Sequence, residues 1–364
     1  MTTETLQSST SGISKLGISG NDHIFGIDSL RALAAIVVML DHLSLTTPTI
    51  FYDHKNGIYA AIRMVLNCLF NGPAAVIIFF VVSGFFIHLP QTRKNSELNV
   101  RRFYIRRAIR IGIPAFFAIV AYELLGHIEI SKINQTVLWS IICEVIYYVL
   151  YPGLLVLGRK YGWTTLVIVS YAVAFLLCLT SLEALRATMN SYVALGWLTW
   201  VVGLPCWLLG CWLAENRQKF RPVKSHQIWL ARSSIFAIAF LLRVAKFHSH
   251  SVLFSNCFTL NIFALPVTAW IGVELVSSAQ LGTSRLLEWV GKWSYSLYLV
   301  HPIAYAILAL IGIAEINSSE PYHLIRIASA LVFSYCFYLA IEKPAHRLAI
   351  MASRRTPTLS RALS

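Results

Sequence analysis

The sequence predicts an all-α integral membrane protein, a bundle of about ten transmembrane helices with both termini in the cytoplasm. Three observations predict it. Apolar residues make up 57% of the 364 and charged residues 13%, against roughly 45–50% and about 25% in soluble domains. The apolar surplus is gathered into blocks of about twenty residues, the length a helix needs to cross a bilayer core. The basic residues crowd alternate loops, the pattern that orients a multi-span chain.

Taken in order, residues 1–23 are rich in Ser and Thr with one lysine, Lys15, and read as a disordered cytoplasmic tail rather than a signal peptide. A transmembrane domain runs over 24–348 and a basic cytoplasmic tail over 349–364. Apolar runs bounded by charge, Gly or Pro place spans at 28–46, 72–90, 109–128, 137–157, 163–182, 195–214, 227–247, 254–276, 293–313 and 323–345. The longest polar stretches are an outer loop at 47–71, a basic stretch at 91–108 and the tail after 346. Twenty-one of the 30 basic residues fall on one side, while the opposite loops hold Lys55, Arg63, Lys132 and Arg186, with Lys246 and Arg326 near helix ends.

A net charge of +14 would suggest nucleic acid in a soluble protein. Here it orients the chain and meets membrane lipid, and no nucleic-acid partner is expected. The seven cysteines lie almost all in apolar segments without Cys-x-x-Cys or Cys/His spacing. They are expected to be packing residues, with no disulfide framework and no metal site.

Ionisable side chains inside spans are costly and each one calls for a reason. Arg31 and His42 are eleven positions apart on the first span, about 1,100° of helix, which puts them on one face about 16 Å apart along the axis. Arg31 then lies at the cytoplasmic mouth and His42 more than halfway across. Arg presents a fork of donors suited to phosphate, and neutral His is a base at physiological pH. Asp28, one turn below Arg31, is placed to orient it; Asp41 points about 100° away from His42. Against this stand a snorkelling arginine and an interhelical histidine contact.

These residues belong to an ordered set of motifs. Gly26-Ile-Asp-Ser-Leu-Arg31 with His42 is followed by Phe79-Phe-Val-Val-Ser83-Gly84-Phe85 and Arg106-Arg107-Ala-Ile-Arg110-Ile-Gly-Ile-Pro114. Then come Trp139-Ser140-Ile-Ile-Cys-Glu144 with Tyr147-Tyr148, Ser294-Tyr295-Ser-Leu-Tyr298-Leu-Val-His301-Pro302 and Glu342-Lys-Pro344. The set resembles the acyltransferase 3 group of membrane O-acyltransferases, which acylate cell-envelope and exported glycans, and covers 24 to about 348. The chain departs from that group at Val145, where a second acidic residue is frequent, and at Ile113, where Tyr is frequent. The esterase-like domain fused to some members is not expected here.

The resemblance implies a membrane O-acyltransferase, an O-acetyltransferase above all, in a plasma membrane of the bacterial inner-membrane kind. No permanently bound cofactor is implied: acetyl-CoA or another acyl-CoA is the donor, and a glycan or lipid-linked sugar is the acceptor. His42, Arg31 and Glu144 become the catalytic candidates, with His42 as general base or transient acyl carrier. Arg106, Arg107, Arg110, Ser83 and Gly84 become donor contacts, and Trp139, Tyr295, Tyr298 and His301 acceptor contacts; no residue is assigned to a metal.

Each assignment has a structural counterpart. Ser83-Gly84 suits close helix packing, the arginines attract anionic headgroups, Glu144 pairs with an arginine, and Tyr295, Tyr298 and His301, at i, i+3 and i+6 on one face, make a polar seam or interfacial belt. The rival reading is a secondary transporter or glycan exporter, for which Gly203-Leu-Pro205 and Leu265-Pro266 would interrupt spans six and eight.

Overall fold

In hydrocarbon a backbone has no partner but itself, so long apolar segments must close their hydrogen bonds as helices. The computed structural model describes residues 26–43, 57–93, 96–125, 136–189, 191–249, 251–282, 284–312 and 320–354, and among them every regular element is helical. In chain order these are α1 (Ile27–Leu43), α2 (Gly57–Leu69), α3 (Gly72–His88), α4 (Val100–Arg107), α5 (Ile113–Leu124), α6 (Trp139–Tyr161), α7 (Trp163–Thr180), α8 (Leu182–Thr188) and α9 (Ser191–Ala194). They continue as α10 (Thr199–Asn216), α11 (Ser225–His248), α12 (Asn256–Leu281), α13 (Arg285–Gly291), α14 (Ser294–Leu310), α15 (Glu320–Phe337) and α16 (Lys343–Arg354).

All ten apolar blocks contain a helix, but seven helical stretches among the described residues are long and apolar enough to cross a membrane: Gly57–Thr92, Trp139–Tyr161, Trp163–Thr180, Gly196–Lys219, Ser225–His248, Asn256–Ser277 and Leu324–Arg354. The other three blocks give α1 and α14, of 17 residues each, and α5, of 12. α14 ends in a turn at Ile311–Gly312, and at about 1.5 Å per residue its 17 residues reach roughly 26 Å, short of a core about 30 Å thick. α14 is among the most enclosed helices, with α3 and α10, and α1 packs against it. Ala32, Ala35 and Met39 pack on Trp293, Leu297 and Ala304, while α7 and α11 turn much of their surface outward.

Several elements depart from the sequence reading. The supposed outer loop at 47–71 contains α2, an amphipathic helix that Phe70 and Asn71 separate from α3; residues 44–56 lie outside the described set. The basic stretch contains α4, capped by the Asn99 side chain. The tail after 346 begins as α16, whose Ala345, Ala349 and Ser353 are buried four apart against α4. Helices α10 and α12 run continuously through Pro205 and Pro266, so neither is broken as a transporter's discontinuous helix would be. Cys178, at the end of α7, is disulfide-bonded to Cys257, at the start of α12, 79 residues on. Sequence spacing alone cannot reveal such a pairing.

Two short π segments interrupt otherwise regular helix: Ala108–Gly112 between α4 and α5, and Tyr338–Glu342 between α15 and α16. Each ends two residues before a proline, Pro114 or Pro344. A proline has no N–H for the carbonyl four residues back and collides with it. Widening the preceding turn to i→i+5 bonding relieves both problems. Such segments are rare and are frequent at functional sites.

Candidate functional site

The site is built on α1, which is held at both ends. At its start the Gly26 and Ser29 backbone N–H groups and the Ser29 hydroxyl all donate to Glu288 Oε1 of α13, at 3.1, 3.2 and 2.6 Å. This carboxylate satisfies donors that a helix N-terminus otherwise leaves open. Gly291 brings α13 against the Asp28 carbonyl, where any Cβ would overlap it. At the other end Asp41 forms an ion pair with Arg243 of α11 at 2.5 Å and accepts from the Gly72 N–H at 3.2 Å. Asp41 is thus spent on α11 and α3 and is not the partner of His42.

That partner is His301. His42 Nδ1 lies 2.9 Å from His301 Nε2, with ring centroids 5.1 Å apart and planes 15° from parallel. A centroid separation that long with so short an N···N distance is an edge-to-edge hydrogen bond. The neighbours of His301 set the proton positions. Its Nδ1 lies 2.9 Å from the Leu297 carbonyl and 3.0 Å from the Tyr298 carbonyl. Carbonyls only accept, so Nδ1 carries the proton. Nε2 of the neutral ring then accepts, His42 Nδ1–H donates to it, and His42 Nε2 keeps a bare lone pair.

Pro302 is the local reason. Without its N–H, the Tyr298 carbonyl four residues back loses its helical donor, and His301 Nδ1–H stands in. His301 is fully buried while His42 is exposed, so the pair has one anchored member and one presented member.

The cationic end of the site lies around the π segments. Arg31 pairs with Asp28 at 3.7 Å, as the one-turn spacing predicts. Arg110, in the first π segment, is close enough to Arg107, Arg31 and Glu342 for their charges to interact, and Arg106 is similarly close to Arg110 and Arg102. Glu342 closes the second π segment and is buried, accepting from the Ser296 N–H at 3.1 Å and the Ser296 hydroxyl at 2.5 Å. Arg107 lies over the rings of Phe103 and Tyr148, at 5.8 and 5.5 Å from their centroids, and its Nε is buried without a hydrogen-bond partner. Among the described residues no carboxylate stands within ion-pair distance of Arg107 or Arg110. Such a group is a ready anion site. His346 of α16 is close enough to Arg110, Arg106 and Arg107 for their charges to reach it.

Between the two ends, Glu144 accepts from Ser83, at 2.5 Å, and from Tyr148, and Trp207 Nε1 donates to Ser83 at 3.3 Å. Glu144 therefore orients Ser83 and Tyr148 rather than His42. Tyr295 donates to the Ile111 carbonyl of the first π segment at 3.3 Å and lies near Glu144, Glu342 and Arg110, linking the cationic end to this cluster.

The other assignments divide. Tyr298 donates to the Val137 carbonyl at 2.8 Å and meets the Ser140 hydroxyl at 2.6 Å, which ties α14 to the start of α6. Tyr295, Tyr298 and His301 face three different partners rather than one seam, because steps of three fall about 60° short of a turn. Trp139 packs edge-on against Phe80. Gly84 is filled by a helix crossing: its Cα abuts the Trp207 carbonyl and Gly210 of α10, and any Cβ would overlap that carbonyl oxygen. It serves packing. His301 as partner of His42, Glu342, Tyr148 and His346 are site residues that the sequence reading did not assign to these places.

Comparison with known proteins follows the same line. The sequence model of the family described as "acyltransferase domain" matches residues 24–341. The peptidoglycan O-acetyltransferase OatA of Listeria monocytogenes serovar 1/2a is 25% identical over 370 residues, covering 88% of this chain and 56% of its own. A putative O-acetyltransferase of Staphylococcus aureus strain COL is 22% identical over 392 residues, covering 92% of this chain and 59% of its own. The chain thus spans a little over half the length of these curated relatives. No solved structure matches it.

Proposed function

Because the chain belongs to this acyltransferase family, we propose that it is a membrane O-acyltransferase, moving a short acyl group, acetyl foremost, from cytoplasmic acyl-CoA to a hydroxyl of a cell-envelope or exported glycan. The single observation that carries the reading is the His42–His301 pair, which presents a bare Nε2 on the same helix as Arg31. The donor's phosphates would meet Arg31, Arg107 and Arg110, with Arg106 at the rim, and the pantetheine arm would extend along α1 toward His42. The separation of the two ends, about 16 Å of helix, suits an extended thioester.

In this scheme His42 Nε2 takes the proton of the acceptor hydroxyl as its oxygen forms the ester bond to the thioester carbonyl. The carbon–sulfur bond breaks, and the same proton passes from His42 to the departing thiolate. His301 is a positioning residue that holds the ring of His42 and the imidazolium that forms on it.

The proposal includes ten spans with both termini cytoplasmic in a bacterial inner membrane. It rests on the charge alternation and on the disulfide, which the alternation puts at the outer ends of α7 and α12, where an oxidising compartment sustains such a bond.

The test is purified protein in detergent with labelled acetyl-CoA, with and without a glycan acceptor. Labelled ester on the glycan, lost in a folded His42→Ala variant, is expected; transfer retained by that variant overturns the role of His42. Both substrates should be needed before CoA is released, whereas ping-pong kinetics would mark an acyl-enzyme instead. CoA-independent glycan flux in liposomes without transfer would establish the exporter.

A further inference from the structure

The first residues of α14 touch both π segments. Tyr295 donates to the Ile111 carbonyl of the first, and Ser296 gives its N–H and its hydroxyl to Glu342 of the second. Ser296 is the third residue of its helix, where a backbone N–H has no acceptor within the helix. Glu342 therefore caps α14, and its charge suits a helix N-terminus. Glu288 does the same for α1, so both helices that carry the histidine pair start on a carboxylate.

Capping does not account for all of Glu342. Both Ser296 bonds fall on Oε2, and Oε1 takes neither. The carboxylate is buried, yet the charges of Arg31 and Arg110 reach it. Helix α5 packs on the second π segment and α16 on the first, so the two segments lie side by side. Arg31 has Asp28 as a partner. Among the described residues Glu342 is the carboxylate whose charge reaches Arg110, and it does so from beyond ion-pair distance. A cap needs an acceptor oxygen, which a neutral amide also supplies. A buried full charge costs more than that and calls for a second purpose.

Product release supplies that purpose. CoA carries the same phosphates as acyl-CoA, so a site of cations alone would hold product as firmly as donor. Binding the two equally gains nothing for the chemical step, and a tightly held product sets many turnover rates. We propose that Glu342 is the built-in counter-ion of the donor site, its charge opposing the phosphates at Arg31 and Arg110 so that CoA can leave. No contact with the reacting atoms is required of it. The inference rests on the acyltransferase reading, which places the donor's phosphates at these arginines.

The experiment is titration calorimetry of the purified full chain in detergent with CoA and with pyrophosphate, which has phosphate charge without the pantetheine arm. Glu342→Gln keeps a carbonyl oxygen for Ser296 and removes the charge. It is expected to bind both probes roughly fivefold more tightly than wild type, because an opposing charge is gone. Ser296→Ala removes the hydroxyl bond and leaves the carboxylate freer to turn toward Arg110, so both probes should bind about twofold more weakly. The opposite signs separate a counter-ion from a cap, since loosening α14 alone would weaken binding in both variants. Equal or weaker binding by Glu342→Gln overturns the proposal, and so does a wild type that binds neither probe. Unchanged or tighter binding by Ser296→Ala overturns it too, and decides the matter should Glu342→Gln not fold. Failure of the donor reading has a different signature: wild type would bind pyrophosphate but not CoA, while the two variants still moved in opposite senses on pyrophosphate.

Discussion

The two ends of α1 handle charge in opposite ways. At the Arg31 end, Arg107 and Arg110 gather on and beside a π segment with no ion-pair partner among the described residues, and the nearby carboxylate Glu342 is engaged by Ser296. At the His42 end Asp41 is paired with Arg243 and His42 with His301. Buried or half-buried cations left unpaired are expensive, and their cost is offset when an anion arrives. Paired groups hold their geometry with or without a ligand. The first end is therefore built to bind, and the second to be ready for chemistry.

The largest break in that comparison is His42→Ala, which removes the presented base. It should lower kcat about 10²–10⁴-fold with little change in the KM for acyl-CoA, measured by steady-state transfer on protein of wild-type thermal stability. His301→Phe keeps the bulk of the partner but removes its acceptor nitrogen. A fall in kcat of roughly 10–100-fold is expected, with both KM values near wild type. A fall in stability with kcat intact would make the pair a packing contact.

Effects at the other end should appear in binding. Arg110→Gln should raise the KM for acyl-CoA about tenfold, roughly 1.4 kcal/mol, with kcat nearly unchanged. Arg31→Lys should come close to that loss if the fork rather than the charge is read. The smallest effect belongs to Arg106→Gln at the exposed rim: about twofold in the KM for acyl-CoA at low salt, disappearing at about 0.5 M salt as surface charge is screened. An Arg110→Gln effect confined to kcat would erase the distinction between the two ends.

Much of this was legible in the sequence because it is local. Apolar blocks became helices where expected, and the three-residue step from Asp28 to Arg31 became an ion pair. What escaped is non-local or depends on hydrogen-bond accounting. His42 and His301 are 259 positions apart, and no periodicity links them. Glu342 was visible within Glu-Lys-Pro, but its closeness to Arg31 depends on how α15 and α16 meet. The buried His88, bonded to Tyr151 and Glu215 at 3.0 and 2.8 Å, gave no signal beyond a histidine near a helix end. The prolines did carry a signal: an orphaned carbonyl precedes each of Pro114, Pro302 and Pro344 by four residues, and two of the three positions are π segments. The third fixes the His301 ring.

The disulfide between Cys178 and Cys257 closes a covalent ring around α8, α9, α10 and α11. A protease cut anywhere in that ring opens a loop without separating the chain, since the two fragments stay tethered through sulfur. The protein can therefore be nicked between 182 and 196 and still migrate as one species until a reductant is added. The nick would also expose whether α10, which crosses α3 at Gly84 and Gly210, keeps its place once its connection to α7 is severed. The ring makes this region the natural place to build a two-piece version of the molecule.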